Sequence, residues 1–378
     1  MGKEITVGSL FDGIGGWLLA AKRAGLRPLW SSEIDPFPAS ISHSHFPKVD
    51  QLGDITKIER LPFADIICAG SPCQDLSVAG KREGLKGERS GLFLCSTRLV
   101  WRMRGESAGK YPSCFIWENV PGALSSNGGK DFRIVLEEIL QTEIPDPASG
   151  RWANAGVVRT EQRAASWRVL DAQFWGVPQR RKRIFLIANL SGNDGTEILF
   201  EPQSLSGNLE ENRKTEEGNP GTSSGSHQGP GQDNRNLLMD IAHHDAAVRI
   251  QDGTAPTLTA HMGTGGLNVP VLYQKITGTL LARDYKGLDT FDIEEDKCFV
   301  ERDRQGLTIR KLTPLECERL QGLPDHWTAG GSDAKRYKAI GNGMAQPCAD
   351  FVMRCAKEVI RCSSRIPCTE KKTKSSLP

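Results

Sequence analysis

Short apolar runs alternate with helical stretches from residue 4 to residue 189, and this limits the fold more than any other feature of the 378-residue chain. Residues 4–11 read as a strand, Asp12-Gly13-Ile14-Gly15-Gly16 as a glycine turn, and residues 17–24 as a helix that stops at Gly25. A second strand over 26–32 and a second helix over 36–45 follow, and a further strand-like piece ends at Gly53-Asp54-Ile55. The apolar run 64–69 stops sharply at Gly70-Ser71-Pro72, directly before Cys73. Residues 92–103 and 131–141 have helical spacing, while 114–117, 167–174 and 183–189 read as strands. Strands separated by helices specify an α/β fold with a doubly wound, mostly parallel sheet. Such sheets place their chemistry in the crevice beyond the carboxyl ends of the strands.

The alternation breaks after residue 190. Residues 201–236 are rich in Gly, Ser, Asn, Pro and Glu, and hold too few large apolar side chains to order themselves. Residues 237–305 carry short strand-like pieces with many Gly and Thr and no long helix, as expected of a small β-rich unit. Thr313-Pro314-Leu315-Glu316 restarts the helical pattern with a cap, a proline at the first position and an acid in the first turn. Residues 344–360 read as a last amphipathic helix, and 361–378 as a basic, polar tail. The pattern therefore divides the chain into a segment 1–190, a unit 191–305 containing a flexible stretch 201–236, a segment 306–360 and a disordered tail 361–378. No secretory leader is visible, and no apolar run approaches the ~20 residues that span a bilayer. The ten cysteines include no CxxC pair, so reduced thiols in a cytoplasmic protein, and no metal site, are expected.

Three constellations carry chemistry. In the first, the glycine turn lets a ligand approach the backbone at a helix N-terminus. Glu33, at the end of the next strand, has the spacing of an acid that accepts hydrogen bonds from the two hydroxyls of an adenosine ribose. With Asp54, these residues point to an adenosine-containing cofactor; a tight turn without a ligand is the competing reading. In the second, Cys73 and Glu118 each follow a strand and face the same sheet edge. A thiolate nucleophile beside a carboxylic acid suits covalent addition with acid assistance, against a structural thiol and a surface acid as the plain alternative. The third is Gln179-Arg180-Arg181-Lys182-Arg183, where strand alternation puts Arg181 and Arg183 on one face and Arg180 and Lys182 on the other. One pair is placed to line the pocket and the other to meet backbone phosphates.

Taken in order, these residues resemble the DNA cytosine-5 methyltransferases of bacteria and phages. The resemblance covers residues 5–190 and 306–360. It rests on Phe11-Asp12-Gly13-Ile14-Gly15-Gly16, Glu33-Ile34-Asp35, Gly53-Asp54-Ile55, Pro72-Cys73-Gln74 and Arg89-Ser90-Gly91-Leu92. It continues through Glu118-Asn119-Val120, Gln179 to Arg183, Arg310 to Pro324, and Gly341-Asn342-Gly343. It implies a Rossmann-like class I methyltransferase fold, with 1–190 catalytic, 306–360 completing it and 191–305 an inserted target-recognition domain. It also implies S-adenosyl-L-methionine as cofactor, which the turn alone does not separate from NAD. Phe11, Gly13, Gly15, Gly16, Glu33, Ile34, Asp54, Ile55, Pro72, Leu92 and Asn342 are then the expected cofactor residues. Phe11 would pack on the adenine, Glu33 hold the ribose, Asp54 read the adenine amino group, and Asn342 help hold the methionine end.

The resemblance also implies a mechanism. The target cytosine leaves the duplex stack, Cys73 adds to its C6, and Glu118 stabilises the protonated N3, with Arg181 on the base and Arg183 nearby. Gln74, Ser77, Lys81, Arg82, Gln179, Thr257 and Thr279 are the expected DNA contacts. Residues 74–86 would form a loop closing on DNA, and Thr257-Leu258 and Thr279-Leu280 are candidates for a Thr-Leu element near the target base. The expected partner is double-stranded DNA, bound by a monomer, in restriction-modification or phage self-protection and with a separate cognate endonuclease. A tRNA cytosine-5 methyltransferase is a rival that the insert 190–305 argues against. A nucleotide-dependent oxidoreductase would not need Cys73 beside Glu118, and a non-catalytic DNA-binding protein would not need the catalytic residue types.

Overall fold

The computed structural model describes residues 4–72, 91–200, 237–241, 248–252, 271–272, 280, 298–303 and 306–363. The body of the molecule is an eight-stranded sheet. Its strands are β1 (Thr6–Leu10), β2 (Arg27–Ser32), β3 (Asp50–Gln51), β4 (Ile66–Ala69), β5 (Cys114–Asn119), β6 (Ala155–Arg159), β7 (Ala164–Asp171) and β8 (Lys182–Asn189). They lie in the order β3-β2-β1-β4-β5-β8-β7-β6. The chain works outward from β1 to β3 and then returns to β4 on the other side of β1, so a switch point opens between β1 and β4. The pairings among β3, β2, β1, β4 and β5 are parallel, whereas β8 runs antiparallel to β5 and to β7, and β6 antiparallel to β7.

Helices α1 (Gly16–Arg23), α2 (Pro36–His45), α3 (Gly91–Glu106) and α4 (Lys130–Leu140) connect the strands. The central strands are buried on both faces, which is why they read as unbroken apolar runs. In β4, Ile66 and Cys68 pack on one face with Trp17, Ala20 and Ala21 of α1, while Ile67 and Ala69 pack on the other with Phe93, Leu99 and Met103 of α3 and with Phe132 and Leu136 of α4. Full burial of a large side chain in these layers contributes about 1.5–3 kcal/mol.

Outside the main sheet lie a three-stranded sheet of β9 (Leu237–Ile241), β10 (Val248–Asp252) and β11 (Val271–Leu272), and a hairpin of β12 (Cys298–Asp303) and β13 (Gly306–Lys311). Helices α5 (Pro314–Leu320), α6 (Asp333–Asn342) and α7 (Gln346–Ser363) follow. Thr313 and Glu316 close a reciprocal capping box on α5, with Pro314 in its first turn. The C-terminal segment then packs back onto the first. Ala349, Val352, Met353 and Ala356 of α7 join the layer beneath α1. Trp327 stacks on His45 of α2, rings 3.6 Å apart and 8° from parallel. Gly331 lies so close to Phe37 that a Cβ there would sit 2.3 Å from the ring, so any other residue would force the ring to move.

The structure departs from the sequence reading in several places. The edge strand β6 was not expected: Ala155-Gly-Val-Val-Arg159 is short, with no fully buried residue, and shows no clear two-residue alternation. The strand-like piece before Gly53 shrinks to the two residues of β3. Strand β5 runs through Glu118 and Asn119, so the acid stands inside the strand end rather than past it. Helix α7 continues beyond residue 360 into the expected tail.

Candidate active site

At the end of β1 the chain enters left-handed conformation at Phe11 (φ 55°), Gly13 (φ 59°) and Gly15 (φ 86°). Glycine accepts this at two of the three positions without steric cost, and the strain at Phe11 marks the turn as held by its surroundings. Those surroundings can be traced group by group. Gly13 N–H donates to Glu33 Oε2 at 2.9 Å. Glu33 Oε1 accepts from the backbone N–H of Ile34 and of Asp35, both at 2.8 Å. Three donors fix the carboxylate and leave acceptor capacity on Oε2. Ile14 O accepts from the Trp327 indole at 2.8 Å, and Gly16 O from Gln346 Nε2 at 3.0 Å. Those two partners lie 313 and 330 positions away in sequence.

Asp12 is the residue here that the sequence reading quoted but gave no role. It is buried, and accepts from Ser9 Oγ at 2.7 Å and from Ser42 Oγ of α2 at 2.8 Å. Burial pushes its carboxyl up to about 6, opposed by the two serine hydrogen bonds and reinforced by nearby Glu33. Beside Gly13 the space is open: an added Cβ would meet nothing within 4 Å. Asp54 Oδ1 accepts from Thr56 N–H and Oγ1 at 2.9 and 2.8 Å, capping the short helix Ile55–Lys57. These hydrogen bonds hold Asp54 below the ordinary carboxylate range.

A second group forms where β5 ends and β8 begins. Because β8 is antiparallel, Glu118 pairs with Phe185 and Asn119 with Ile184, which brings the start of β8 to the same edge. Arg183 Nε lies 3.2 Å from Glu118 Oε1. Burial raises the Glu118 carboxyl above its ordinary range, and Arg183 and then Arg181 oppose the rise. Glu118 Oε2 would stand 3.3 Å from a Cβ added at Gly70, so the acid sits against the loop that leaves β4. That loop is tied to β5. Asn119 Nδ2 donates to Ser71 O at 3.0 Å, and the Trp117 indole donates to Ser71 Oγ at 3.1 Å. Gln179 is fully buried, and both polar atoms of its amide lack a hydrogen-bond partner among the described residues. Together the two groups hold an acidic cradle at the switch point and a partly neutralised acid next to it.

Residues 5–358 match the family of C-5 cytosine-specific DNA methylases. The chain belongs to that family. A protein of Escherichia phage P1 named as a DNA N-6-adenine-methyltransferase is 29% identical, over 98% of this chain and 64% of its own length. The chain thus spans just under two thirds of that phage protein. The type II methyltransferase M.HpaII of Haemophilus parainfluenzae is also 29% identical, over 91% of this chain and 87% of its own length. The Dnmt2 methyltransferase of S. pombe shares the fold, with a TM-score of 0.53 at 16% identity over 94% of this chain and 99% of that one. A methyltransferase from Entamoeba histolytica does so with a TM-score of 0.55 at 15% identity, over 97% and 100%.

Within this family member the expected residues divide by place. Phe11, Gly13, Gly15, Gly16, Glu33, Asp54 and Ile55 gather around the β1 edge, and Ile34 there is exposed. Leu92 packs against the core from the first turn of α3. Asn342 lines a cavity of about 300 Å³ with Asp35, Phe37, Lys335 and Lys338. Pro72 is exposed beside Ser71. Arg181 is buried, with its side chain 1% exposed, and donates to the backbone carbonyls of Leu280, Gly341 and Gly343, while its charge also acts on Glu118. Cys73, Gln74, Ser77, Lys81, Arg82, Thr257 and Thr279 lie outside the described residues. Asp12, Ser42, Trp327 and Gln346 were missed. Only the FDGIGG motif signalled the first, and no local pattern signals a clamp from 300 residues downstream.

Proposed function

We propose that the chain transfers a methyl group from S-adenosyl-L-methionine to C5 of a cytosine flipped out of duplex DNA. What carries the reading, given the family, is the half-neutralised Glu118 held against the loop that leads to Cys73. The cradle fits the cofactor. Glu33 has acceptor capacity for the ribose hydroxyls, Asp54 Oδ2 meets only the exposed Lys57 ammonium at 3.9 Å among the described residues and can accept from an adenine amino group, and the open side of Gly13 admits a ligand against the backbone. When bound, that cofactor supplies an electrophilic methyl on sulfur.

The chain's residues make C5 a nucleophile. Cys73 Sγ, as thiolate, bonds to C6 while N3 takes a proton from Glu118, which burial keeps able to carry one. The electron pair released to C5 takes the methyl. A base then removes the C5 proton, the S–C6 bond breaks, and the N3 proton returns to Glu118. Arg183 fixes the Glu118 carboxyl and limits its rise, so that it can both give and regain the proton. The buried amide of Gln179, without a hydrogen-bond partner among the described residues, supports a brace at the emptied base position. The division into a catalytic body and a recognition insert, and a restriction-modification setting, are part of the same proposal. Methylation of adenine N6 is the second reading, favoured by the name of the phage P1 relative. An exocyclic amine is itself the nucleophile, and that chemistry leaves Cys73 and Glu118 without work.

Mass spectrometry of nucleosides from duplex DNA treated with the purified chain and S-adenosylmethionine separates these. The expected product is 5-methyldeoxycytidine, lost in Cys73→Ala. N6-methyldeoxyadenosine, or unreduced product from Cys73→Ala, would overturn the proposal. Bisulfite sequencing of the same DNA reads the target sequence.

A further inference from the structure

Arg181 is the one charged residue among the largest fully buried side chains of the described structure. Its guanidinium joins three separate stretches of chain. Nη1 donates to Leu280 O at 2.9 Å. Nη2 donates to Gly341 O at 3.0 Å and to Gly343 O, on either side of Asn342. Arg181 itself stands immediately before β8, two residues ahead of the Glu118 partner Arg183.

Leu280 is gripped from its other side as well. Its side chain is 3% exposed in an apolar cluster with Leu312, Cys317, Leu320, Tyr337 and Ile340. From that cluster the contacts continue to the cofactor turn. Gln321 Nε2 donates to Ile340 O at 2.9 Å, Gln346 N–H donates to Gln321 O at 2.7 Å, and Gln346 Nε2 donates to Gly16 O. A buried cation is costly as packing, and an apolar side chain would fill the same space without desolvation. What the guanidinium supplies instead is direction: a rigid planar fork that fixes diverging carbonyls at set angles, which a lysine cannot reproduce.

We propose that Arg181 is a positioning residue that couples Leu280 to the Gly341–Gly343 loop and the cofactor turn. The inference rests on the methyl-transfer reading. Packing of Leu280 against Arg181 and its apolar cluster then raises affinity at the cofactor turn, and a ligand there stabilises that packing to the same degree, because linkage between two equilibria is reciprocal.

S-adenosylhomocysteine is the probe, titrated calorimetrically into the full chain. Arg181→Met is expected to weaken it by about 10–100-fold, the range for losing hydrogen bonds from a charged group. Leu280→Ala, at a residue remote from the turn, is expected to weaken it by roughly 3–10-fold, and to add nothing in the Arg181→Met background. Arg181→Lys should recover less than half of the loss on a logarithmic scale. Additive effects in the double variant, or an unchanged affinity in Leu280→Ala, would overturn the coupling. Should Arg181→Met not fold, amide hydrogen exchange in Leu280→Ala decides. Faster exchange at residues 13–16 and 341–343 supports the coupling, and unchanged exchange refutes it. A wild-type chain that binds NAD and not S-adenosylhomocysteine would remove the methyl-transfer reading and this inference with it. Wild-type affinity that none of the variants moves would remove this inference alone.

Discussion

The two halves of the sheet solve different problems. In the parallel half, β3 to β5, every strand ends at the same edge, and the acids at those ends, Asp12, Glu33 and Asp54, collect there by topology. Their charges are met chiefly by backbone N–H groups and hydroxyls: Glu33 by three amides, Asp12 by two serines, Asp54 by Thr56 with the exposed Lys57 ammonium 3.9 Å away. In the antiparallel half, β8 starts at that edge instead of ending there, and so delivers the cations of residues 181–183 to it. Glu118, on the border between the halves, is the acid met by a guanidinium. Reversing one strand is thus what sets a guanidinium-paired acid beside acids held by backbone amides and hydroxyls.

If the halves divide the labour in this way, substitutions should divide the kinetics. The largest effect is expected at Glu118→Gln. The amide keeps the shape but cannot give and regain a proton, and loss of a general acid costs about 10²–10⁴-fold in kcat. S-adenosylhomocysteine affinity should stay within about twofold, since among the described residues the ion-pair partner of Glu118 is Arg183, whereas the turn is held by Glu33, Trp327 and Gln346. Single-turnover methylation and calorimetry on the same preparation check both; a joint loss of rate and affinity would show that the halves are not separable.

Glu33→Gln should give the opposite pattern. A glutamine turns one acceptor oxygen into an NH₂ group, which then faces a backbone N–H of Gly13, Ile34 or Asp35. Leaving such a donor unmet costs about 1–3 kcal/mol, so cofactor KM should rise by roughly 10–100-fold while kcat at saturation changes little. Steady-state kinetics at saturating DNA measure this, and a fall in kcat with KM unchanged would reverse the assignment of the two halves.

How much of this was legible in the sequence follows from the range of the interactions. The strand–turn–helix rhythm through residue 189, the capping box at Thr313 and Glu316, and the acids at strand ends are local patterns. The alternation of residues 180–183 was legible too: Arg180 and Lys182 are exposed, while Arg181 is buried and Arg183 largely so. The direction of β8 was not, because a strand's residues do not encode which way its neighbour runs. Nor was the destination of Arg181, whose carbonyl partners lie 99 to 162 positions away. The clamps on Ile14 and Gly16 escaped for the same reason: Trp327 and Gln346 have no local signature that separates them from ordinary helix-flanking residues.

The smallest expected effect tests what the parallel half gives up to hold its turn. The folded-state pKa of Asp12 is about 6, above the ordinary 3.8, mainly through burial. Between those values the native chain keeps a proton that the unfolded chain has lost. Stability therefore falls as pH rises from about 4 to about 6, and the full cost persists at neutral pH. Asp12→Asn removes the charge and leaves an oxygen for one serine and an NH₂ for the other, whose hydroxyl can rotate to accept. It should gain about 1–3 kcal/mol near pH 7.5 and almost nothing below pH 4. Urea unfolding across that range measures the slope. A variant less stable than wild type near pH 7.5 would mean that the ionised carboxylate gains more from Ser9 and Ser42 than burial takes away. The β1 edge would then be held together by its charge, against the direction in which burial pushes that carboxyl.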